Sequence, residues 1–137
     1  MALYNELPVY KSTYRLLLKL VGMSVGWQRD YRYTLAQELK AELVDLLVKI
    51  YRANSIKDKF ETLSSARESI ERVKIYVRLL RDLRQIGIDA YAALADETAG
   101  ISKQLAAWHS KCSCARPSQS DNFPVPAPYD GDSTLRE

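Results

Sequence analysis

Arg67, Lys74, Arg78 and Arg81 are spaced so that a single helix would carry all four cations on one line. At about 100° per residue, offsets of 7, 11 and 14 from Arg67 fall within an arc of roughly 60°. Leu63, Ala66, Ile70, Val73, Val77 and Leu80 fill the adjoining arc and must pack inward. The cations then sit at a helix–helix boundary, where they are partly desolvated and held in register. The chemistry open to such a row is anion binding. The competing reading has the long basic side chains lying over a bundle edge and pairing with Glu68, Glu71 or Asp82.

A second basic group, Lys49, Arg52, Lys57 and Lys59, surrounds Asn54-Ser55. It is either a further polyanion contact or a solvated charged turn. Tyr31, Tyr33 and Tyr51 near Arg32 and Arg52 suit base stacking, and suit packing in a subunit interface equally well. His109, Cys112 and Cys114 give three soft ligands within six residues. A structural zinc site normally takes four, so no metal is assigned. His109 is the only histidine, no serine or cysteine stands beside a recognisable base and orienting acid, and no glycine-rich phosphate loop is present. The acidic residues are spread along the chain rather than clustered as a two-metal site needs. The expectation is a protein that is not an enzyme and needs no cofactor.

The 137 residues allow one domain and a tail, and charge divides them. Residues 1–116 hold 19 basic and 13 acidic side chains, whereas residues 117–137 hold one and four. A moderately basic domain points toward nucleic acid without saying which kind, and the acidic tail could compete for the same surface. The longest uncharged run, Leu20 to Gln28, is nine residues, far short of the ~20 that a membrane span needs. Glu6, Lys11, Arg15 and Lys19 interrupt any signal-peptide pattern. With two cysteines and no disulfide framework, a cytoplasmic location is expected.

These residues must be positioned by helices, because the apolar pattern shows helical spacing in four phases and no sustained alternation. A first helix is predicted from Pro8, carrying Tyr10, Tyr14, Leu17, Leu18 and Val21 as its apolar residues and ending at Gly22 and Gly26. A second starts near Tyr31, buries Leu35, Leu39, Leu43, Leu46 and Ile50, and stops around Asn54. The third runs from Lys57 to Ile86, with Gly87 as its stop. The fourth runs from an Asp89 cap to about Lys111, with a seam of Tyr91, Leu94, Thr98, Ile101, Leu105 and Trp108. Short loops favour antiparallel neighbours. The predicted fold is therefore an all-α, up-down-up-down four-helix bundle over residues 1–114, followed by a disordered Pro/Ser/Asp-rich tail, 115–137.

Two helices carry more apolar surface than a four-helix monomer uses. Tyr33, Val44, Val48 and Tyr51 form one extra strip, and Ile75, Leu79 and Ile86 another. Such strips usually mark subunit contacts.

Four segments carry a family resemblance: Glu6-Leu7-Pro8-Val9-Tyr10-Lys11, Arg29-Asp30-Tyr31-Arg32-Tyr33-Thr34-Leu35, Ile50-Tyr51-Arg52-Ala53-Asn54-Ser55 and Arg78-Leu79-Leu80-Arg81-Asp82-Leu83. Taken in order, over roughly residues 4–111, they resemble the accessory variability determinant proteins of diversity-generating retroelements. That group sits within a family of four-helix bundles that also includes proteins encoded in ribosomal RNA intervening sequences. The resemblance implies a barrel-like homopentamer with a basic surface that associates with a reverse transcriptase and with RNA or DNA. It would then support mutagenic copying of a template-repeat RNA into cDNA. On that reading Arg67, Lys74, Arg78 and Arg81, with Arg52, Lys57 and Lys59, meet nucleic acid. Tyr33, Val44, Val48, Tyr51, Ile75 and Leu79 meet neighbouring subunits.

Overall fold

The computed structural model describes residues 3–115, with side chains as far as residue 112. The expected tail beyond Ala115, and the Cys114 side chain, lie outside the described residues. After a single 3-10 turn at Tyr4–Glu6 come α1 (Pro8–Ser24), the short α2 (Arg29–Arg32), α3 (Leu35–Ser55), α4 (Phe60–Asp82) and α5 (Ile88–Ala115). Among the described residues there is no strand. No helix among them is long and apolar enough to cross a membrane. Each long helix packs against two others: α1 and α4 both contact α3 and α5. One apolar core lies between them.

Helical periodicity accounts for three of the four buried faces. The face of α3 is Leu39, Leu43, Leu46, Leu47, Ile50 and Ala53. In α4 all six expected apolar residues are buried, with Ser69 among them. In α5, Leu94, Thr98, Ile101 and Leu105 are buried, and Tyr91 and Trp108 flank them half-buried. The buried hydroxyls of Thr13, Ser69 and Thr98 have partners, as their desolvation requires. The Thr98 hydroxyl donates to the Ala95 carbonyl at 3.0 Å, and Ser69 Oγ accepts from Lys49 Nζ at 2.7 Å.

The first helix departs from expectation. Its core residues are Val9, Thr13, Leu16 and Leu20, while Tyr14, Leu18 and Val21 are exposed. Two apolar arcs compete on this helix, and counting apolar residues favours the wrong one because Thr13 breaks the other. In the fold the Thr13 hydroxyl donates to the Val9 carbonyl at 2.8 Å, which hides its polarity inside the helix. Gly22 does not stop α1, which continues to Ser24. Trp27, expected in a plain loop, is buried and anchors the following connection.

Two further boundaries move. The chain breaks at Tyr33 and Thr34, where the Thr34 hydroxyl bonds the Asp30 carbonyl at 2.7 Å. Tyr33 therefore does not share a helical phase with Val44, Val48 and Tyr51. At the end of α4, Arg84 N–H bonds Arg81 O and Gln85 N–H bonds Leu80 O, both at 2.9 Å. These two bonds are the left-handed helix terminus normally built on glycine. Here the left-handed residue is Arg84, with φ of 62°, and the helix closes four residues before Ile86. Ile86 turns into the core rather than joining an exposed strip. Gly87 instead caps α5, its carbonyl accepting from Tyr91 N–H at 2.9 Å. Because an L side chain is strained at positive φ, Arg84→Gly should stabilise the fold by about 0.5–1 kcal/mol after the unfolded-chain entropy of glycine is deducted. A urea midpoint that falls instead would show the Arg84 side chain stabilising the turn.

Candidate nucleic-acid interface

The cationic row is built by α4 and bounded by α5. At its start, Arg67 Nη1 lies 3.1 Å from His109 Nδ1 of α5. At its end, the Arg81 guanidinium sits 4.6 Å from the centroid of the Tyr91 ring, a cation–π distance. Both ends of the row thus meet α5, as their position beside the apolar face requires.

Local carboxylates offset part of this charge. Lys74 Nζ is 3.1 Å from Glu71, and Arg81 contacts Asp82 at 2.9 Å. These pairs are half-exposed, so each is weak and open to competition from a polyanion. Glu68 is paired with Arg72 at 3.7 Å, and Arg72 also reaches Glu42 of α3 at 3.2 Å. Arg78 is exposed and makes no hydrogen bond or ion pair among the described residues. A hollow of about 240 Å³ near Arg67 is lined by Ser64, Glu68, Glu71 and His109 as well. Its two carboxylates make it mixed in sign, whereas no carboxylate among the described residues pairs with Arg78.

The second basic group is not joined to the row by any hydrogen bond or ion pair among the described residues. Lys49 is occupied by Asp45 at 2.8 Å and by Ser69, with only 14% of its side chain exposed. It fastens α3 to α4. Lys59 donates to the Ile56 carbonyl, while Arg52 and Lys57 are exposed in and after the last turn of α3.

His109 stacks on Phe60 with centroids 4.4 Å apart and 27° between the planes. Burial and the neighbouring Arg67 lower its pKa, outweighing Glu61 and the Phe60 backbone, which raise it. Its Nδ1 faces a guanidinium, the reverse of the carboxylate that orients a general base. Among the described residues no group of three or more His, Cys, Asp or Glu side chains is placed to hold a metal ion. A histidine depressed in the native state binds fewer protons there than when unfolded. Stability should therefore be full above the unfolded value near 6.5 and fall as pH drops below it, levelling off once the native imidazole is charged. His109→Gln should flatten that limb of a pH series of thermal midpoints; an unchanged slope would place its origin elsewhere.

The candidate interface strips are exposed: Val44, Val48 and Tyr51 on α3, Ile75 and Leu79 on α4, and Tyr33 at the turn. Tyr51 is partly covered by Tyr4, edge-on at 5.0 Å. Sequence reading missed a further strip along α1 and its C-terminal cap, Tyr14, Leu18, Val21 and Val25, spaced 4, 3 and 4 and left exposed. No family model matches the chain, and no curated protein matches it.

Proposed function

We propose that this protein is a non-catalytic accessory component of a diversity-generating retroelement, binding its reverse transcriptase and RNA or DNA through the α4–α5 basic row. The observation that carries the reading is this row of four cations at a helix boundary, whose Arg78 has no partner among the described residues and whose other members have only weak or neutral ones. The ordered resemblance supplies the biological context. An antiparallel arrangement is supported by contacts whose numbering runs in opposite directions: Arg67 with His109 and Arg81 with Tyr91, then Glu42 with Arg72 and Lys49 with Ser69.

Assembly as a homopentamer is supported by the exposed strips on α3 and α4, which no described part of the chain covers fully. Five copies would present about 20 cations. Each phosphate neutralised should steepen log K against log salt by about 0.7–0.9. Binding should then be strong at low salt, nearly sequence-blind, and confined to a cytoplasmic complex whose copying chemistry belongs to the polymerase.

A second reading, an oligomeric helical scaffold for protein partners alone, is favoured by the contacts that Lys74 and Arg81 already make with carboxylates. Light scattering of the protein alone and with a short RNA, at two salt concentrations, separates the two. A pentamer whose RNA complex dissolves at high salt supports the accessory reading. A pentamer indifferent to RNA supports the scaffold, and a monomer removes the assembly common to both.

A further inference from the structure

A second feature lies where α1, α2 and α3 meet, and none of the row's residues lines it. A pocket of about 90 Å³ opens between α1, α2 and α3, with Leu17, Leu20, Trp27, Leu39 and Leu43 among its walls. Arg32 lines it, and its Nε is fully buried without a hydrogen-bond partner. Lys40, exposed on α3, lines it too, and none of the lining residues is acidic.

A buried N–H with no acceptor is costly, and native proteins rarely leave one unanswered. Leu17, Leu20, Leu39 and Leu43 stand beside the polar Ser24, Gln37 and Lys40 side chains in the walls, so the missing partner is an acceptor small enough to enter among them. A carboxylate matches both the charge and the donor geometry of a guanidinium. Size narrows it further. A dry cavity of about 150 Å³ holds benzene, so this one holds about four heavy atoms, the size of an aspartate side chain beyond Cα.

So few atoms bound alone are held weakly, which favours a carboxylate carried on a larger body. The surroundings suit such a body. Val21 and Tyr33 line the pocket while remaining exposed, and Leu18 and Val25 continue the Val21 face along α1. We propose that Arg32 anchors an aspartate or glutamate side chain of a protein partner, whose apolar neighbours cover Leu18, Val21, Val25 and Tyr33. A buried charged anchor ringed by apolar contacts is the arrangement of an interface hot spot. The site is independent of the nucleic-acid row, so either can fail without the other.

The test uses the full chain and acetate as the probe, with chloride and acetamide as controls at matched ionic strength. Acetate should move the Arg32 Nε–H and Trp27 indole resonances saturably, acetamide should not, and Arg32→Gln should weaken the acetate response roughly tenfold or more, the loss expected when a charge-assisted pair is removed. Equal shifts with acetamide, or an undiminished response in Arg32→Gln, would overturn the assignment. Light scattering of Arg32→Gln settles the source. An unchanged subunit number at unchanged helicity supports a separate partner, whereas a reduced number would assign the carboxylate to a second copy and overturn the partner reading.

Discussion

Lys74→Glu combined with Arg78→Glu should weaken RNA binding by about 100-fold near 0.1 M salt, with helicity and subunit number unchanged. Each reversal replaces an attraction by a repulsion at the protein surface, worth of order 1–1.5 kcal/mol per site at an intermediate effective dielectric. Two such sites give about two decades of affinity. The fold should tolerate both changes because neither side chain is in the core: Arg78 is exposed and unpartnered among the described residues, and Lys74 is half-buried beside Glu71. The glutamate introduced at position 74 would face Glu71 one turn away, a local cost of about 0.5 kcal/mol.

Salt dependence gives the second readout, since losing two phosphate contacts should flatten the slope of log K against log salt by about 1.4–1.8. Arg72→Gln is the control. It breaks the contacts with Glu42 and Glu68 but lies roughly 140° around α4 from Arg67. It should leave RNA affinity within about twofold, because it meets no phosphate in the row. A double variant that binds as tightly as the parent would remove the row as the site, and an equal loss in Arg72→Gln would show that overall charge, not position, drives binding.

What was legible in the sequence follows from how many residues voted on each feature. The buried face of α4 rests on six apolar residues in one unbroken phase, and α5 on a seam with no competitor, so period alone places them. The cationic row inherits that reliability because it is defined by its offset from the same face. The contacts of its members were less legible. His109 against Arg67 and Tyr91 against Arg81 depend on how far α5 slides along α4, which spacing within one helix cannot give.

Boundaries set by local hydrogen bonds were hidden for another reason. The stop at Arg84 uses an arginine in a conformation that sequence reasoning reserves for glycine, and the break at Thr34 is made by a side-chain hydroxyl. Periodicity puts Arg32 at the start of a helix and leaves Trp27 in a connection, yet together they line the pocket at the base of α1. No periodicity marks a pocket formed by three elements.

The sharpest physical test of the fold lies on α1, where two apolar arcs compete for the core. Leu16→Ala should cost about 2–5 kcal/mol, because Leu16 is fully buried and its removal leaves a cavity among well-packed neighbours. Leu18→Ala, two residues on and 57% exposed, should change monomer stability by less than about 0.5 kcal/mol. Denaturant unfolding of the two variants measures the difference, and the opposite order would mean that α1 is rotated to the phase its apolar count favours. The pair also reaches beyond the monomer. Because the Leu18 face is assigned to a separate partner, Leu18→Ala should leave the unfolding midpoint of the protein alone unchanged at every concentration; a loss confined to concentrations where the parent is assembled would assign that face to self-association, because assembly stabilises the folded chain by mass action. Leu16→Ala should lower the midpoint at every concentration. The surplus apolar arc is then left for the separate partner, and Thr13 marks the arc that the monomer itself buries.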